Sequence, residues 1–247
     1  MKKILLAVLA VVLGAGFAWG NVMDKDVILA GTESTYPPYE FRDDSNNLKG
    51  FDIDMVEAIA AKIGKKVEWV DMPFDSLIPS LLAKKIDIIA AGLSATEERA
   101  KKVAFSDNYE ISISAFIVKE DNNTLKTVED MKGKVIAVQL GTVQETYSQT
   151  IPDAQVKSFQ KFDDCVREVI LGRADATLMD VPVTKSYMEH KDFAGKIKVA
   201  FDQEITGSGK AMAMNLGETD FVKAVNGALA ELEKSGELAK MKELWFK

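Results

Sequence analysis

The residues best suited to chemistry in this 247-residue chain lie in four short polar loops, each directly after a predicted strand. Glu33 and Tyr36 belong to Gly31-Thr-Glu-Ser-Thr-Tyr36-Pro-Pro-Tyr39-Glu-Phe41. Gly92, Ser94 and Arg99 belong to Ala90-Ala-Gly92-Leu-Ser94-Ala-Thr96-Glu-Glu-Arg99. Gln139 and Thr142 form the third group, and Asp180 the fourth, with Phe74 as an additional aromatic. Together they supply a guanidinium, a carboxylate, hydroxyls, amides, aromatics and one extra acid, which suits a zwitterion carrying a further side-chain function. Arg99 can hold a carboxylate in a planar two-bond fork. Asp180 can face an ammonium group. Tyr36 and Phe74 can sandwich an alkyl or guanidinium stem, each contact worth about 0.5–2 kcal/mol. Ser94 and Thr142 offer hydroxyl and amide donors at helix starts, where anions are welcome.

Each of these residues also has a plainer use. Arg99 can form a surface pair with Glu97 or Glu98. Ser94-Ala-Thr96-Glu97 fits a capping box, and Asp180 before Val181-Pro182 fits a helix cap. Phe74 can be core. Glu33 stands apart: an acid beside Pro-Pro has no capping work, so it is either solvated or facing a cation.

The elements that must position these loops alternate between strand and helix, which predicts an α/β architecture with mainly parallel sheets. Strands are expected at Val27–Leu29, Val67–Val70, Ile86–Ile89, Lys134–Val138 and Ala176–Met179. Helical spacing runs from Ile53 to Ile63, with Asp52 and Asp54 suiting its positive end and Gly64 stopping it. A short helix is expected over Leu77–Ala83, with Pro79 near its first turn. Leu82-Ala-Lys-Lys-Ile-Asp87 and Leu171-Gly-Arg-Ala-Asp175 echo one another, which suggests two similar lobes. Ile111–Val118 and Lys210–Met214 read as two crossing strands between them. The expected organisation is a leader over 1–20, a discontinuous first lobe over 21–112 and 211–247, and a second lobe over 113–210. Strand ends facing one crevice form a ligand site in open α/β sheets.

Composition narrows the function further. The net charge of −7 argues against nucleic acid as a partner. With one His and one Cys, a His-based triad or a His/Cys metal site is not expected, nor any cofactor. Cys165 reads as a small core residue. The start Met1-Lys-Lys, the apolar run Ile4–Leu13 and small residues up to Gly20 predict a secretory signal cleaved near Gly20, with no Cys there to take a lipid.

The blocks Phe74-Asp-Ser-Leu-Ile-Pro-Ser-Leu81, Lys84-Lys-Ile-Asp87, Gly92-Leu-Ser94-Ala-Thr96-Glu-Glu-Arg99, Phe105-Ser-Asp107, Leu140-Gly-Thr142, Gly172-Arg-Ala-Asp175 and Leu244-Trp-Phe246 occur in a fixed order. In that order they resemble the periplasmic amino-acid-binding proteins of ABC transporters, the class of lysine/arginine/ornithine-, histidine- and glutamine-binding proteins. The resemblance implies a two-lobed type II periplasmic binding fold, with two crossing strands, that closes on a free amino acid for an inner-membrane permease. It also implies a periplasmic monomer with no catalytic residues. By position, Arg99 would take the α-carboxylate with Ser94 and Thr142, and Asp180 the α-ammonium with Ser94 and the Gly92 carbonyl. Tyr36 and Phe74 would line the side-chain slot, while Glu33 and Gln139 would read its end. A basic ligand is expected, arginine ahead of lysine. The alternatives are glutamine or another polar amino acid, or an arogenate/prephenate dehydratase on the same fold. Two departures stand out: Lys210-Ala211 replaces the usual aromatic-Gly, and Met179 precedes Asp180. A Lys210 that neutralised Glu33 would weaken the preference for a cation.

Overall fold

The computed structural model describes residues 21–207 and 209–246, so the predicted leader lies outside the described residues. Two five-stranded sheets organise the chain. In the first, the order is Lys66–Asp71, Val27–Thr32, Ile88–Ile89, Ala213–Asn215 and Val103–Phe105. The first three strands run parallel, and Ala213–Asn215 enters antiparallel to both of its neighbours. The second sheet has the order Gln155–Phe159, Val135–Gln139, Ala176–Asp180, Ser114–Lys119 and Ile197–Gln203. Again three strands are parallel, followed by an antiparallel fourth. Helices pack against the sheets, and the fold is the two-lobed α/β architecture expected.

The echo between the halves has a physical basis. Asp87 donates its backbone N–H to the Leu29 carbonyl at 2.7 Å and accepts the Leu29 N–H on its carboxylate at 3.0 Å. Asp175 does the same with Val135, at 2.8 Å in both directions. In each lobe an Asp thus ties the third strand of the sheet to the start of its neighbour, Val27–Thr32 in one and Val135–Gln139 in the other. Lys25 adds an ion pair to Asp87 at 2.6 Å.

Three expectations are corrected. Ile111–Val118 is not one crossing strand. Only Glu110–Ile111 pairs with Gly209–Lys210, and the chain then breaks at Ser112 and Ile113. Ser114–Lys119 belongs to the second sheet, where strands on both sides bury Ser114 through Val118. Lys210–Met214 divides likewise, with Gly209–Lys210 crossing and Ala213–Asn215 completing the first sheet. Third, the helix containing Pro79 spans Phe74–Leu82, so Pro79 lies in its interior. Pro79 and Asp75 are both exposed, so the carbonyl that loses its partner can turn to water.

The Pro-Pro loop is a structure in its own right. Thr35–Tyr36, Glu40–Arg42 and Leu48–Lys49 form a small antiparallel sheet around the cis Pro37–Pro38 bond. Its carbonyls at Pro38 and Tyr39 accept the N–H groups of Phe51 and Asp52, each at 2.9 Å, capping the helix Phe51–Lys62. The C-terminal aromatics lock this loop in place. Trp245 donates its indole N–H to Asp54 at 2.8 Å, and Phe246 meets Tyr39 and Phe51 at ring distances of 5.0 Å. Cys165 is fully buried in the second lobe, as expected, and burial raises its thiol pKa. Among the described residues no helix is long and apolar enough to cross a membrane.

Gly50 joins the loop to the helix at φ 135°, where a Cβ would stand 2.1 Å from the Tyr39 carbonyl oxygen. Gly50→Ala therefore combines backbone strain with a backbone clash. It is expected to cost about 3 kcal/mol or more in urea unfolding, and to loosen the loop before the rest of the fold.

Candidate functional site

Glu33, Tyr36, Phe74, Gly92, Ser94, Arg99, Gln139, Thr142 and Asp180 all line one cavity between the two sheets. The enclosed space is about 10 Å³, no more than one water, because side chains from both lobes meet across it. Arg99 also borders an outer cleft of about 670 Å³, and Glu33 another of about 250 Å³. The guanidinium and the acid therefore mark two different edges of the enclosed site.

Asp180 is its centre. The residue occupies the N-cap position of Val181–Glu189, but its carboxylate does not cap the helix. One oxygen accepts the Tyr36 hydroxyl at 2.6 Å and meets the Lys210 ammonium at 2.5 Å; the other accepts Ser114 at 3.2 Å and Gln144 at 3.1 Å. Lys210 also donates to the Ser94 hydroxyl at 3.3 Å. The Asp180 and Lys210 side chains are 3% and 2% exposed, so this is a buried pair whose carboxylate is held by neutral donors as well. Lys210 thus meets Asp180 rather than Glu33.

At one edge, Arg99 donates to the Ser94 carbonyl at 2.8 Å and to the Gly141 carbonyl at 2.9 Å, linking the lobes. Its guanidinium lies 5.6 Å from the centroid of the Phe74 ring. The partners are carbonyls and a ring face, and burial lowers its pKa to about 10. Ser94 does not cap the following helix; Thr96 does, through the Arg99 N–H at 3.2 Å. Thr142 does cap, accepting from the Glu145 N–H at 3.1 Å while donating to the Gln139 carbonyl at 2.7 Å.

At another edge, the Glu33 carboxylate accepts the Thr35 hydroxyl at 2.9 Å and the Gln139 amide at 2.8 Å. Its donors are neutral and the residue is 4% exposed, so burial pushes its pKa up to about 7. Tyr36 and Phe74 do not form a ring pair. Tyr36 packs between Tyr39 and Phe162, at 5.6 and 4.7 Å, while Phe74 lies beneath Arg99.

Below the cavity lies an acid pair. Glu40 and Asp52 are both fully buried, with burial raising Asp52 to about 6 and Glu40 well above the carboxylate range. Burial favours the neutral form of Glu40, while the Asp52 carboxylate accepts the Gly92 N–H at 2.8 Å and the Tyr109 hydroxyl at 2.7 Å. This positions Gly92, where φ is 52° and a Cβ would come within 3.0 Å of the Tyr36 ring. Glu40, Gln144 and Phe162 line the cavity but were not singled out from the sequence. Glu40 had a signal, being a second acid in the first ligand loop. Gln144 and Phe162 look like ordinary helix-start residues. Among the described residues, no group of three or more His, Cys, Asp or Glu side chains is placed to hold a metal ion.

Residues 28–247 match the sequence profile of the bacterial extracellular solute-binding proteins, family 3. The chain belongs to that family. Among family relatives, it is 31% identical to the L-cystine-binding protein TcyJ of Escherichia coli K12, over 99% of this chain and 95% of that one. It is 32% identical to the arginine-binding extracellular protein ArtP of Bacillus subtilis, over 92% and 89%. Among solved structures, an ancestral arginine-binding protein bound to arginine superposes with a TM-score of 0.86 at 37% identity, covering 90% of this chain and 99% of that one. An ancestral amino-acid-binding protein described as a precursor of cyclohexadienyl dehydratase gives 0.84 at 35%, covering 92% and 98%. This family 3 protein therefore shares its fold with proteins named for several different ligands.

The burial of Glu33 carries a pH signature. Its pKa is higher folded than unfolded, so its stabilising contribution is full below about pH 4.5 and is lost as the pH rises through about 7. Urea unfolding of the parent and Glu33→Gln across pH 4–8 tests this. The parent is expected to lose stability relative to the variant over that window, by up to about 3 kcal/mol.

Proposed function

We propose that this protein is the periplasmic receptor of an ABC amino-acid transporter. It closes around a free amino acid, most favourably a basic one, with arginine ahead of lysine. The observation that carries the reading is the polarity of the cavity: at one edge a guanidinium held only by carbonyls and a ring, at another an acid held only by neutral donors. Arg99 would take the ligand carboxylate in a bidentate fork. Glu33 would take the cationic end of the side chain, with Gln139 and Tyr36 shaping the slot and Phe74 lying behind the guanidinium. The α-amino end would lie among Gly92, Ser94 and Asp180, with Thr142 beside the carboxylate. Because Lys210 engages Asp180, Glu33 remains available to a ligand cation. The names of the relatives support an amino acid without choosing one, since they include cystine, arginine and histidine binders.

With about 10 Å³ enclosed, an amino acid enters only when the lobes part. Hinge closure is the motion known for periplasmic binding proteins as a class. The cross-lobe bonds of Arg99, Gln139 and Tyr36 would be among those exchanged for ligand contacts as the site opens and recloses. We place the lobe limits at 21–112 with 211–247, and at 113–210. A monomer delivering to an inner-membrane permease completes the reading. An arogenate or prephenate dehydratase is the less supported alternative. Glu33 is the acid it would require, yet the neighbour tied to that activity by its description is itself an amino-acid-binding protein.

A thermal-shift panel of the twenty amino acids tests the class, because a ligand bound only by the folded state raises the melting temperature by mass action. Arginine is expected to give the largest shift. Arg99→Ala should abolish the shift for every amino acid while the unliganded melting temperature stays close to the parent's, the lost charge contact being worth about 2–5 kcal/mol. No response from any amino acid would overturn the proposal.

Glu33→Gln tests the ligand preference by calorimetry. Arginine affinity should fall about 10-fold or more, while glutamine affinity holds or improves. Parent affinity for arginine should also rise with pH through about 7, as the acid ionises, and become flat in the variant. A parent that prefers glutamine would remove the cation reading and leave the receptor reading intact.

A further inference from the structure

Lys210 does not fit the simplest account of the site. The ligand roles above leave Asp180 to receive an α-ammonium, yet Asp180 already has a cation. The Lys210 ammonium stands 2.5 Å from the carboxylate and 3.3 Å from the Ser94 hydroxyl, the same two groups that a ligand ammonium would use. Tyr36, Ser114 and Gln144 fill the rest of the carboxylate. The lysine is also firmly held. Its carbonyl accepts the Tyr109 N–H at 2.9 Å, Ser94 bridges to it through the backbone, and the neighbouring Ala211 N–H bonds to Leu93 at 3.0 Å. Withdrawing the ammonium would strand a buried charge on each side, which is strongly unfavourable.

We infer that Lys210 is a specificity-determining residue that stands in for the α-ammonium of a ligand. The site would then accept carboxylic acids whether or not they carry an α-amino group, including des-amino and α-hydroxy analogues of amino acids. The inference rests on Arg99 as the carboxylate holder. Lys210 and Arg99 also flank Ser94, one at its hydroxyl and the other at its carbonyl. An anionic head between them meets two cations, whereas an incoming ammonium meets a carboxylate that is already neutralised. A receptor whose Asp reads the ammonium directly loses about 100-fold or more in affinity when that group is removed from the ligand. This one loses far less.

Calorimetry on the full protein compares L-arginine with its des-amino analogue, 5-guanidinopentanoic acid. If another amino acid gives the largest thermal shift, that amino acid and its own des-amino acid are used. The parent is expected to bind the two within about 10-fold, and Lys210→Met to favour the amino acid by about 100-fold. Lys210→Arg, which keeps the charge, should retain the parent's tolerance. The parent comparison needs no variant, so a misfolded variant does not rescue the idea. A 100-fold or greater loss in the parent on removing the amine overturns the inference and leaves the amino-acid receptor standing. Binding of des-amino acids alone upholds the inference and overturns the receptor reading. If neither class binds, both fail.

Discussion

The carboxylate of Asp180 is the point on which the two lobes and the crossing strands converge. It takes Tyr36 from the first-lobe loop, Ser114 and Gln144 from the second lobe, and Lys210 from the crossing strand. A buried ion pair is a poor source of net stability, since desolvation offsets most of its Coulomb energy. What such a pair supplies is geometry, because removing any member leaves an uncompensated polar group. The cavity is therefore one of the places that specify how the lobes meet, alongside outer contacts such as Tyr187 to the Thr35 carbonyl and Lys191 to Asp44.

Around that point the polar groups fall into a neutral and a charged tier. Glu40 and Asp52 are buried together below the cavity, where burial favours the neutral form of each, and Asp52 holds the Gly92 loop. Glu33 and Arg99 are held by neutral groups, and burial penalises the charged form of each. Both charges are thereby poised to respond to a counter-ion, while the acid pair underneath stays self-contained.

Much of this was legible from residue order. The strand-end loops, nine of the residues that line the cavity and the repeat marked by Asp87 and Asp175 follow from alternating apolar runs, turn residues and the general rule that ligands meet strand ends. Partner choice was not. Lys210 and Asp180 pair over 30 residues of chain while Tyr36 reaches the same carboxylate across 144, and no local pattern ranks such long-range options. Ile111–Val118 reads as one strand because apolar and polar residues alternate through Ser112 and Ile113 with no helix signal. The break is imposed by the second sheet, which claims Ser114 onward. Pro79 misleads for the opposite reason: a local rule favours a first-turn proline, but the exposed face of the helix tolerates one in its interior.

The packing of the chain's end against its beginning bears on the order of assembly. Trp245 reaches Asp54 across 191 residues, and Glu218 accepts the Val22 N–H across 196. Ala213–Asn215 fills the gap in the first sheet between Ile88–Ile89 and Val103–Phe105. A chain emerging from its amino terminus therefore holds the first-lobe loop for most of its synthesis without the strand or the aromatics that fix it. The second lobe, whose sheet is contiguous in sequence, has its contacts available earlier and at lower loop-closure cost. The first lobe thus gains its fourth strand and the aromatic packing of its loop only from the last part of the chain.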